Sequence, residues 1–417
     1  MEHRKNLALE GLRGLACLNV VLAHYMFTFM PYASRFLYPE GDIIQRYGVE
    51  HWLAKPYFSV LYNGTYPVSI FFVMSGWVLT APFIDGRKGL ERAALKRYPR
   101  LVLPAATAIL FAWVLFKLGL MGTSRALEVG FAGWLRDHYV TNVSLVPDLL
   151  FNMFIGAPIN GQSEWDTPLW TLRIELVGPI LLFSLMALFG ARKALAIALA
   201  YTAIAVNIFP QNGAAMHLLA FLSGYLLNFM LPTLRRVPVL ALGLLAFGLV
   251  FGAFDYSSHF AYLLNLPLPD LSPYAWNLGG DRKTLFHTIG GLLTVAGVLA
   301  GAPGFGWLAA RPMVWLGKVS FSAYLLHWPI LCSAGIAVVA WVQKSGLPYP
   351  HAVLSGGIVF LIAVYGAAAI FERWVDAPAI RLANRLARPR ANAEAPLHLP
   401  ETFQTRGLTS GGRELPL

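Results

Sequence analysis

Arg13 and His24 stand near the N-terminus with ten residues between them, inside an apolar segment that spans residues 7–30. That segment is long enough to cross a bilayer as one helix. Eleven positions at about 100° each amount to three turns plus about 20°, so both side chains share a face, about 16 Å apart along the axis. Because ionisable groups inside lipid are costly, the pair predicts a functional site. The alternative is an arginine that sets topology and a histidine that binds a neighbouring helix.

Three further cations, Lys96, Arg97 and Arg100, stand at the start of the third apolar segment. Arg97 and Arg100 are three residues apart, so they share a face of a helix. Cations at a helix N-terminus favour phosphates, although plain topology determination and attraction to anionic lipid explain them equally well. If Arg13 enters from the same side, acyl-coenzyme A has the shape to contact these cations with its phosphates and to reach His24 with its far end.

A carboxylate, Glu175, is predicted one to two turns inside the fourth apolar segment, about 8 Å deep. If the first and fourth helices are neighbours, it would bind one nitrogen of His24, orient the ring and fix its tautomer. The alternative is a salt bridge with Arg173, although side chains two residues apart face different ways on a helix.

Two more polar residues are candidates for the same cavity. His327 falls within an apolar segment just before Pro329, which kinks or loosens a helix. It either lines the cavity or binds a neighbouring helix. Glu10 precedes Arg13 by three residues and either contributes to the site or pairs with Arg13 across one turn.

The composition identifies the elements that must position these residues. The chain has 417 residues, of which 57% are hydrophobic and 13% charged, about half the charge of a typical soluble protein. The net charge of +11 lies mainly in one set of loops, which predicts membrane topology and no nucleic-acid partner. Cys17 and Cys332 both lie in apolar runs, so neither a disulfide framework nor a thiolate metal site is predicted.

Hydropathy predicts ten spans, and every loop on one side of them carries at least two cations. We therefore predict an all-α polytopic membrane protein of about ten transmembrane helices with both termini in the cytoplasm. A membrane domain would occupy residues 1–378, and a disordered cytoplasmic tail residues 379–417. The predicted spans are 7–30, 66–84, 101–120, 170–189, 194–209, 214–231, 238–254, 284–301, 319–342 and 352–372.

Three predicted outer segments, residues 31–65, 121–169 and 255–283, are long and rich in aromatic residues. They form either an interfacial aromatic belt or a platform for an extracytoplasmic acceptor. Within the second of them, residues 145–158 are apolar but short, as in a re-entrant or interfacial segment.

Seven short motifs in this order resemble those of the acyltransferase type 3 family of integral membrane proteins, and they extend over residues 9–378. The chain departs from the family pattern at Glu10, where aspartate is usual, at Ser69, where many members carry aspartate, and at Thr171, where serine is usual. The matching stretches are LEGLRG (9–14), the Arg13–His24 pair, IFFVMSGW (70–77), KRYPRL (96–101), WTLRIE (170–175), SAYLLHWP (322–329) and VDAP (375–378).

This resemblance implies transfer of an acyl group, expected to be acetyl, from cytoplasmic acyl-coenzyme A to a hydroxyl of an extracytoplasmic or lipid-linked carbohydrate. It implies a protein of the inner (cytoplasmic) membrane with acyl-coenzyme A as co-substrate, no tightly bound cofactor and no metal. His24 would be the general base or a covalent nucleophile, and Glu175 its partner. The coenzyme would be held by Arg13, Lys96, Arg97 and Arg100, and the substrate pocket would include Glu10, Ser75, Trp170, Tyr324 and His327.

Two other functions fit the same residues. Intramembrane His, Glu and Arg side chains also serve proton relays and substrate sites in transporters, although the internal repeats typical of transporters are not visible. A non-catalytic membrane scaffold would tolerate neutral replacement of His24, Glu175 and Arg13.

Overall fold

The computed structural model describes residues 6–39, 45–86, 89–122, 146–163, 165–208, 213–268, 270–271, 276–277 and 282–387. The part of the predicted outer segments between residues 123 and 145 lies outside the described residues, as does the tail from residue 388. The described helices are α1 (Leu7–Phe29), α2 (Val49–Leu53), α3 (Thr65–Thr80), α4 (Leu90–Lys117), α5 (Val146–Phe151), α6 (Thr171–Phe189), α7 (Ala194–Ile208), α8 (Ala214–Leu234), α9 (Pro238–Gly252), α10 (Ala261–Leu264), α11 (Arg282–Ala300), α12 (Arg311–Ile330), α13 (Ile336–Lys344), α14 (Tyr349–Phe371) and α15 (Ala377–Leu386).

The predicted all-α polytopic class is confirmed. Within the described residues, eight helices are long and apolar enough to cross a membrane, and two shorter apolar helices, α7 and α9, account for the remaining two predicted spans. The described strands are the two-residue pair Asp270–Leu271 and Trp276–Asn277, which is antiparallel. The short apolar stretch after residue 145 is helical as α5 and continues as a π-helical segment, Asn152–Asn160.

Proline interrupts the ninth span as predicted. Pro329 lies in the last turn of α12, and a π-helical segment, Leu331–Gly335, separates α12 from α13. The hydroxyl of Ser333 donates to the Pro329 carbonyl at 2.6 Å, so a side chain satisfies a carbonyl in the loosened part of the helix.

Helices α1 and α12 run parallel and in register. The thiol of Cys17 donates to the Ser320 carbonyl at 3.1 Å, and Gly14 lies against Gly317 with the same separation in sequence. A Cβ added to Gly14 would lie 2.6 Å from the backbone nitrogen of Gly317, so only glycine permits this close approach of the two backbones. The LEGLRG stretch therefore holds α1 against α12 and sets which residues meet further along both helices.

The boundary predicted at residue 378 needs correction. The last span continues through a π-helical segment, Glu372–Asp376, into α15, which runs to Leu386 and contacts α4. Alanines of α15, Ala379 and Ala383, are buried. Residues 379–386 are therefore helical and packed on the membrane domain rather than part of a tail.

Candidate active site

The imidazole of His24 lies against a second imidazole, that of His327. Nδ1 of His24 is 3.2 Å from Nε2 of His327, and the ring centroids are 4.9 Å apart. The pairing follows from the register of α1 and α12, since both pairs, 14 with 317 and 24 with 327, differ by the same number of positions. His327 is completely buried, whereas His24 is partly exposed.

The carbonyls around the two rings determine where the protons lie. Nδ1 of His327 is 2.6 Å from the Tyr324 carbonyl, and Nδ1 of His24 is 2.9 Å from the Val20 carbonyl. Because a carbonyl only accepts, both Nδ1 atoms carry the proton in the neutral rings. Nε2 of His327 is then an acceptor for the N–H of His24, and Nε2 of His24 has the lone pair that can take a proton from a substrate.

A cavity of about 590 Å³ opens beside His24, within the range of about 300–1,000 Å³ that is usual for small-molecule sites. It is formed by the C-terminal half of α1 and by the beginnings of α3, α6, α8 and α11. The lining residues are Val20, His24, Phe27, Tyr38, Gly64, Thr65, Val68, Asn160, Gly161, Thr167, Pro168, Trp170, Arg173, Ile174, Ala214, His217, Lys283, Thr284 and Tyr324.

Two residues predicted for the substrate pocket, Trp170 and Tyr324, line this cavity with His24. Trp170 is 38% exposed, and the hydroxyl of the buried Tyr324 is 2.8 Å from the hydroxyl of Thr171. His327 is not among the residues that line the cavity. It contacts the His24 ring and so supports that ring. Serine is usual in the family where this chain has Thr171, and threonine supplies the same hydroxyl.

Glu175 has a different partner from the predicted one. Its carboxylate accepts from the Arg97 guanidinium at 2.7 Å and from the Ser75 hydroxyl at 3.1 Å. The same guanidinium donates to the backbone carbonyl of Glu175 at 2.8 Å. The packing of α4 on α6 brings Arg97 to the carboxylate, while the neighbour of the His24 ring is His327. Ser75, predicted for the substrate pocket, accordingly binds Glu175.

The cations predicted for the coenzyme fall into two kinds of surroundings. Arg97 is buried in its ion pair with Glu175. Arg13 donates to Glu10 at 2.7 Å, so Glu10 pairs with Arg13 across one turn of the helix. Arg100 is exposed and Lys96 half-buried. A phosphate arriving from solvent would therefore meet Arg100 and Lys96 before it could reach Arg97.

Three basic residues of the cavity were not predicted as site residues: Arg173, His217 and Lys283. The ring of His217 lies 5.3 Å from that of Trp170, and Nζ of Lys283 donates to the Leu37 carbonyl at 2.9 Å. The sequence could have indicated two of them. Arg173 and Lys283 lie at the predicted outer ends of spans, where the positive-inside rule makes cations uncommon.

A buried carboxyl, Asp166, stands one position before the cavity-lining Thr167. It is fully buried, and neither of its carboxyl oxygens has a hydrogen-bond partner among the described residues. Burial raises the pKa of Asp166 well above its usual range, because the charged form would lose its hydration. Burial therefore favours the protonated, uncharged form of this carboxyl.

Comparison with known families places residues 6–371 within a model described as an acyltransferase domain, that of acyltransferase type 3 proteins. The match covers most of the 417 residues and includes every helix from α1 to α14. No curated protein and no solved structure matches the chain. In the described part of the chain, no group of three or more His, Cys, Asp or Glu side chains is placed to hold a metal ion.

Proposed function

The chain belongs to the acyltransferase type 3 family of membrane acyltransferases, and on this premise we propose that it transfers an acyl group from acyl-coenzyme A to a hydroxyl of a carbohydrate. The acyl group is expected to be acetyl. The donor would arrive from the cytoplasm, and the acceptor, extracytoplasmic or lipid-linked, would enter the 590 Å³ cavity. The inner membrane of the cell is the expected location.

One observation carries this proposal: a histidine with a defined tautomer lines a cavity of the size of a small molecule. The carbonyl of Val20 and Nε2 of His327 both accept from the Nδ1 side of His24. They therefore support Nε2 as the atom that takes a proton.

In the proposed reaction, Nε2 of His24 removes the proton of the acceptor hydroxyl as its oxygen attacks the thioester carbonyl. The tetrahedral intermediate collapses, the C–S bond breaks, and the imidazolium returns the proton to the coenzyme thiolate. While His24 is charged, its Nδ1–H donates to the Val20 carbonyl and to Nε2 of His327. These two neutral acceptors take the place that a carboxylate has in a Ser-His-Asp triad.

The donor's phosphates are proposed to contact Arg100, Lys96 and Arg13. Exposure supports the first two, since Arg100 is exposed and Lys96 half-buried. Arg13 stands about 16 Å before His24 on the continuous helix α1, a distance that the thin arm of acyl-coenzyme A can cover. Arg97 would act through its buried pair with Glu175, by holding α4 against α6.

The experiment measures transfer and uptake in the same vesicles. Purified protein is reconstituted into phospholipid vesicles loaded with methyl glucoside, methyl glucuronide and glucose 1-phosphate, and radiolabelled acetyl-coenzyme A is added. We expect labelled acetyl esters of at least one acceptor, identified by mass spectrometry. His24→Ala should lower the rate by roughly 10²–10⁴-fold, the usual contribution of a general base.

The matched control is His351→Ala, which removes an exposed histidine of α14 and should leave the rate unchanged. Substantial transfer by the His24→Ala protein would contradict the role of His24. When radiolabelled methyl glucoside is instead added outside the same vesicles, its uptake without ester formation would favour the transporter. Analysis of surface glycans and lipids from cells with and without the gene would then identify the natural acceptor by a lost acyl mass.

A further inference from the structure

The exposed apolar surface of the last membrane span continues beyond that span onto α15. Ile362 and Ile370 of α14 have exposed apolar side chains, as expected where a span faces lipid. Trp374 follows and is exposed too, and tryptophan is common where the hydrocarbon region of a bilayer meets the headgroups. Leu382 and Leu386 of α15 are still 44% and 68% exposed. The exposed apolar surface therefore extends past the predicted span.

The side chains of α15 fall on three sides of the helix. Ala379 and Ala383 are buried, and α15 packs on α4. Arg381 and Arg385 are exposed, and each directly precedes one of the two exposed leucines, about 100° away around the helix axis. Asn384, also exposed, lies nearly opposite those leucines. Exposed leucines flanked by arginines are typical of an amphipathic helix that lies at a bilayer surface.

The connections of α15 hold it close to the bilayer. It follows α14 without a loop, because the π-helical segment Glu372–Asp376 joins the two helices. Lys318 of α12 pairs with Glu372 at 3.2 Å. Since charged groups are costly in the hydrocarbon region, this ion pair marks the level where the span leaves it. Helix α15 begins at Ala377, about one turn further on, so its position fits the bilayer surface on the predicted cytoplasmic side.

We propose that α15 binds anionic phospholipids, with Arg381 and Arg385 on the lipid phosphates and with Leu382 and Leu386 inserted between the acyl chains. Arginine can donate two parallel hydrogen bonds to a phosphate. Its long apolar stem lets the charge reach the headgroups while the leucines stay in hydrocarbon. An anionic lipid is favoured over a zwitterionic one, because its headgroup carries no cation that competes for the phosphate.

This lipid contact would also act on the neighbouring helix. Because α15 packs on α4, lipid held by α15 would stabilise the position of α4, the helix that carries Lys96 and Arg100. The proposal goes beyond acyl transfer, and both of its tests are free of turnover. Failure of the proposed reaction and failure of the lipid site can therefore be told apart.

The first experiment locates α15 relative to the bilayer. The native Cys17 and Cys332 are buried, so a cysteine introduced at an exposed position of α15 can be labelled selectively with a fluorophore. In vesicles that contain nitroxide-labelled phospholipid, the label at Leu386→Cys should be quenched several-fold more than the label at Asn384→Cys, which lies on the other side of the helix. Equal quenching of the two labels would overturn the proposal.

The second experiment measures which lipid α15 binds. Phosphatidylglycerol should raise the unfolding temperature of the detergent-solubilised protein more than phosphatidylcholine does. In Arg381→Gln and in Arg385→Gln, the concentration of phosphatidylglycerol that gives half of this rise should increase about fivefold, the effect of one cation near an anionic surface.

The matched control is Lys193→Gln, which removes an exposed cation from another loop on the predicted cytoplasmic side and should leave the lipid effect unchanged. An equal loss of lipid affinity in Lys193→Gln would show that net charge alone attracts the lipid, and the role of α15 would be wrong. Equal effects of phosphatidylglycerol and phosphatidylcholine on the wild type would contradict the preference for anionic lipid. An equal rise with inorganic phosphate would contradict a lipid site, since the arginines would then bind free phosphate.

Discussion

Cations occur in two contrasting environments in this protein. Arg13 and Arg97 each bind a carboxylate at 2.7 Å, from Glu10 and Glu175. In the cavity, Lys283 donates to the Leu37 carbonyl and lies over the Tyr38 ring, and Arg173 donates to the Asn160 carbonyl at 3.5 Å. The first two cations are held in ion pairs, and the second two line a space that a ligand can fill.

The two environments differ in what burial of the charge costs. A charge removed from water is costly unless a partner compensates it, so a buried arginine such as Arg97 needs its carboxylate to let the helices pack. A cation beside an open cavity keeps access to water, so it loses less hydration than a buried one. We therefore expect the buried pair of Arg97 and Glu175 to contribute more to stability than the cavity cations do.

The largest effect on stability should come from the buried ion pair. Glu175→Ala leaves the guanidinium of Arg97, whose side chain is only 7% exposed, without its carboxylate. The free energy of unfolding should fall by roughly 3–5 kcal/mol, the usual cost of an uncompensated buried charge. Thermal unfolding of the solubilised protein measures this.

Two comparisons sharpen that result. Asp85→Ala breaks the exposed pair with Arg192, in which both side chains are at least 75% exposed, and should change the unfolding temperature little. The double variant Arg97→Met with Glu175→Leu should recover most of the lost stability, because neither side chain of the pair is then charged. If the double variant recovers its stability but has a much higher KM for acetyl-coenzyme A, Arg97 binds the coenzyme instead.

The contact between α1 and α12 should give the next largest effect. In Gly14→Ala the new methyl group would overlap the backbone of Gly317, and the helices would have to separate. We expect a loss of about 1–3 kcal/mol, as for other overpacked sites, together with lower activity because His24 and His327 move apart. Gly366→Ala adds the same methyl group in open space on α14 and should be neutral or slightly stabilising. Equal behaviour of the two variants would exclude a packing role for Gly14.

A smaller effect, on kcat alone, should follow from loss of the second imidazole. His327→Ala removes one acceptor from the charged His24, which should lower kcat about tenfold, with little change in either KM. His327→Gln offers an amide oxygen as a new acceptor and should restore part of the rate. An unchanged kcat in His327→Ala would assign His327 to packing only.

The smallest effect should appear in donor binding. Arg100→Gln removes one exposed cation from the proposed phosphate contacts and should raise the KM for acetyl-coenzyme A a few-fold, about the value of one exposed charge pair, with the KM for the acceptor unchanged. Arg236→Gln removes an exposed cation from another loop on the predicted cytoplasmic side and is the control. A larger effect on the acceptor's KM would place the donor elsewhere.

Much of the fold was predictable because it depends on properties of single segments. Apolar length marks every predicted span, and each of the ten is helical in the structure. The loosening after Pro329 follows from a missing N–H, which is a local property. The boundary of the tail was not predictable, because α15 is strongly amphipathic rather than uniformly apolar and gains its stability by packing on α4.

The site divides in the same way. The sequence by itself placed Arg13 and His24 on one face of α1 and identified the polar residues that are costly in lipid. Helical periodicity and apolarity are properties of a single segment, so they can be read without knowing its neighbours. Only the tertiary structure decided that His24 meets His327, that Glu175 binds Arg97, and that Lys283 and Arg173 share a cavity. A polar side chain pairs with whatever group lies within hydrogen-bond reach, and that choice depends on how α1 packs on α12 and α4 on α6, over separations of up to about 300 residues.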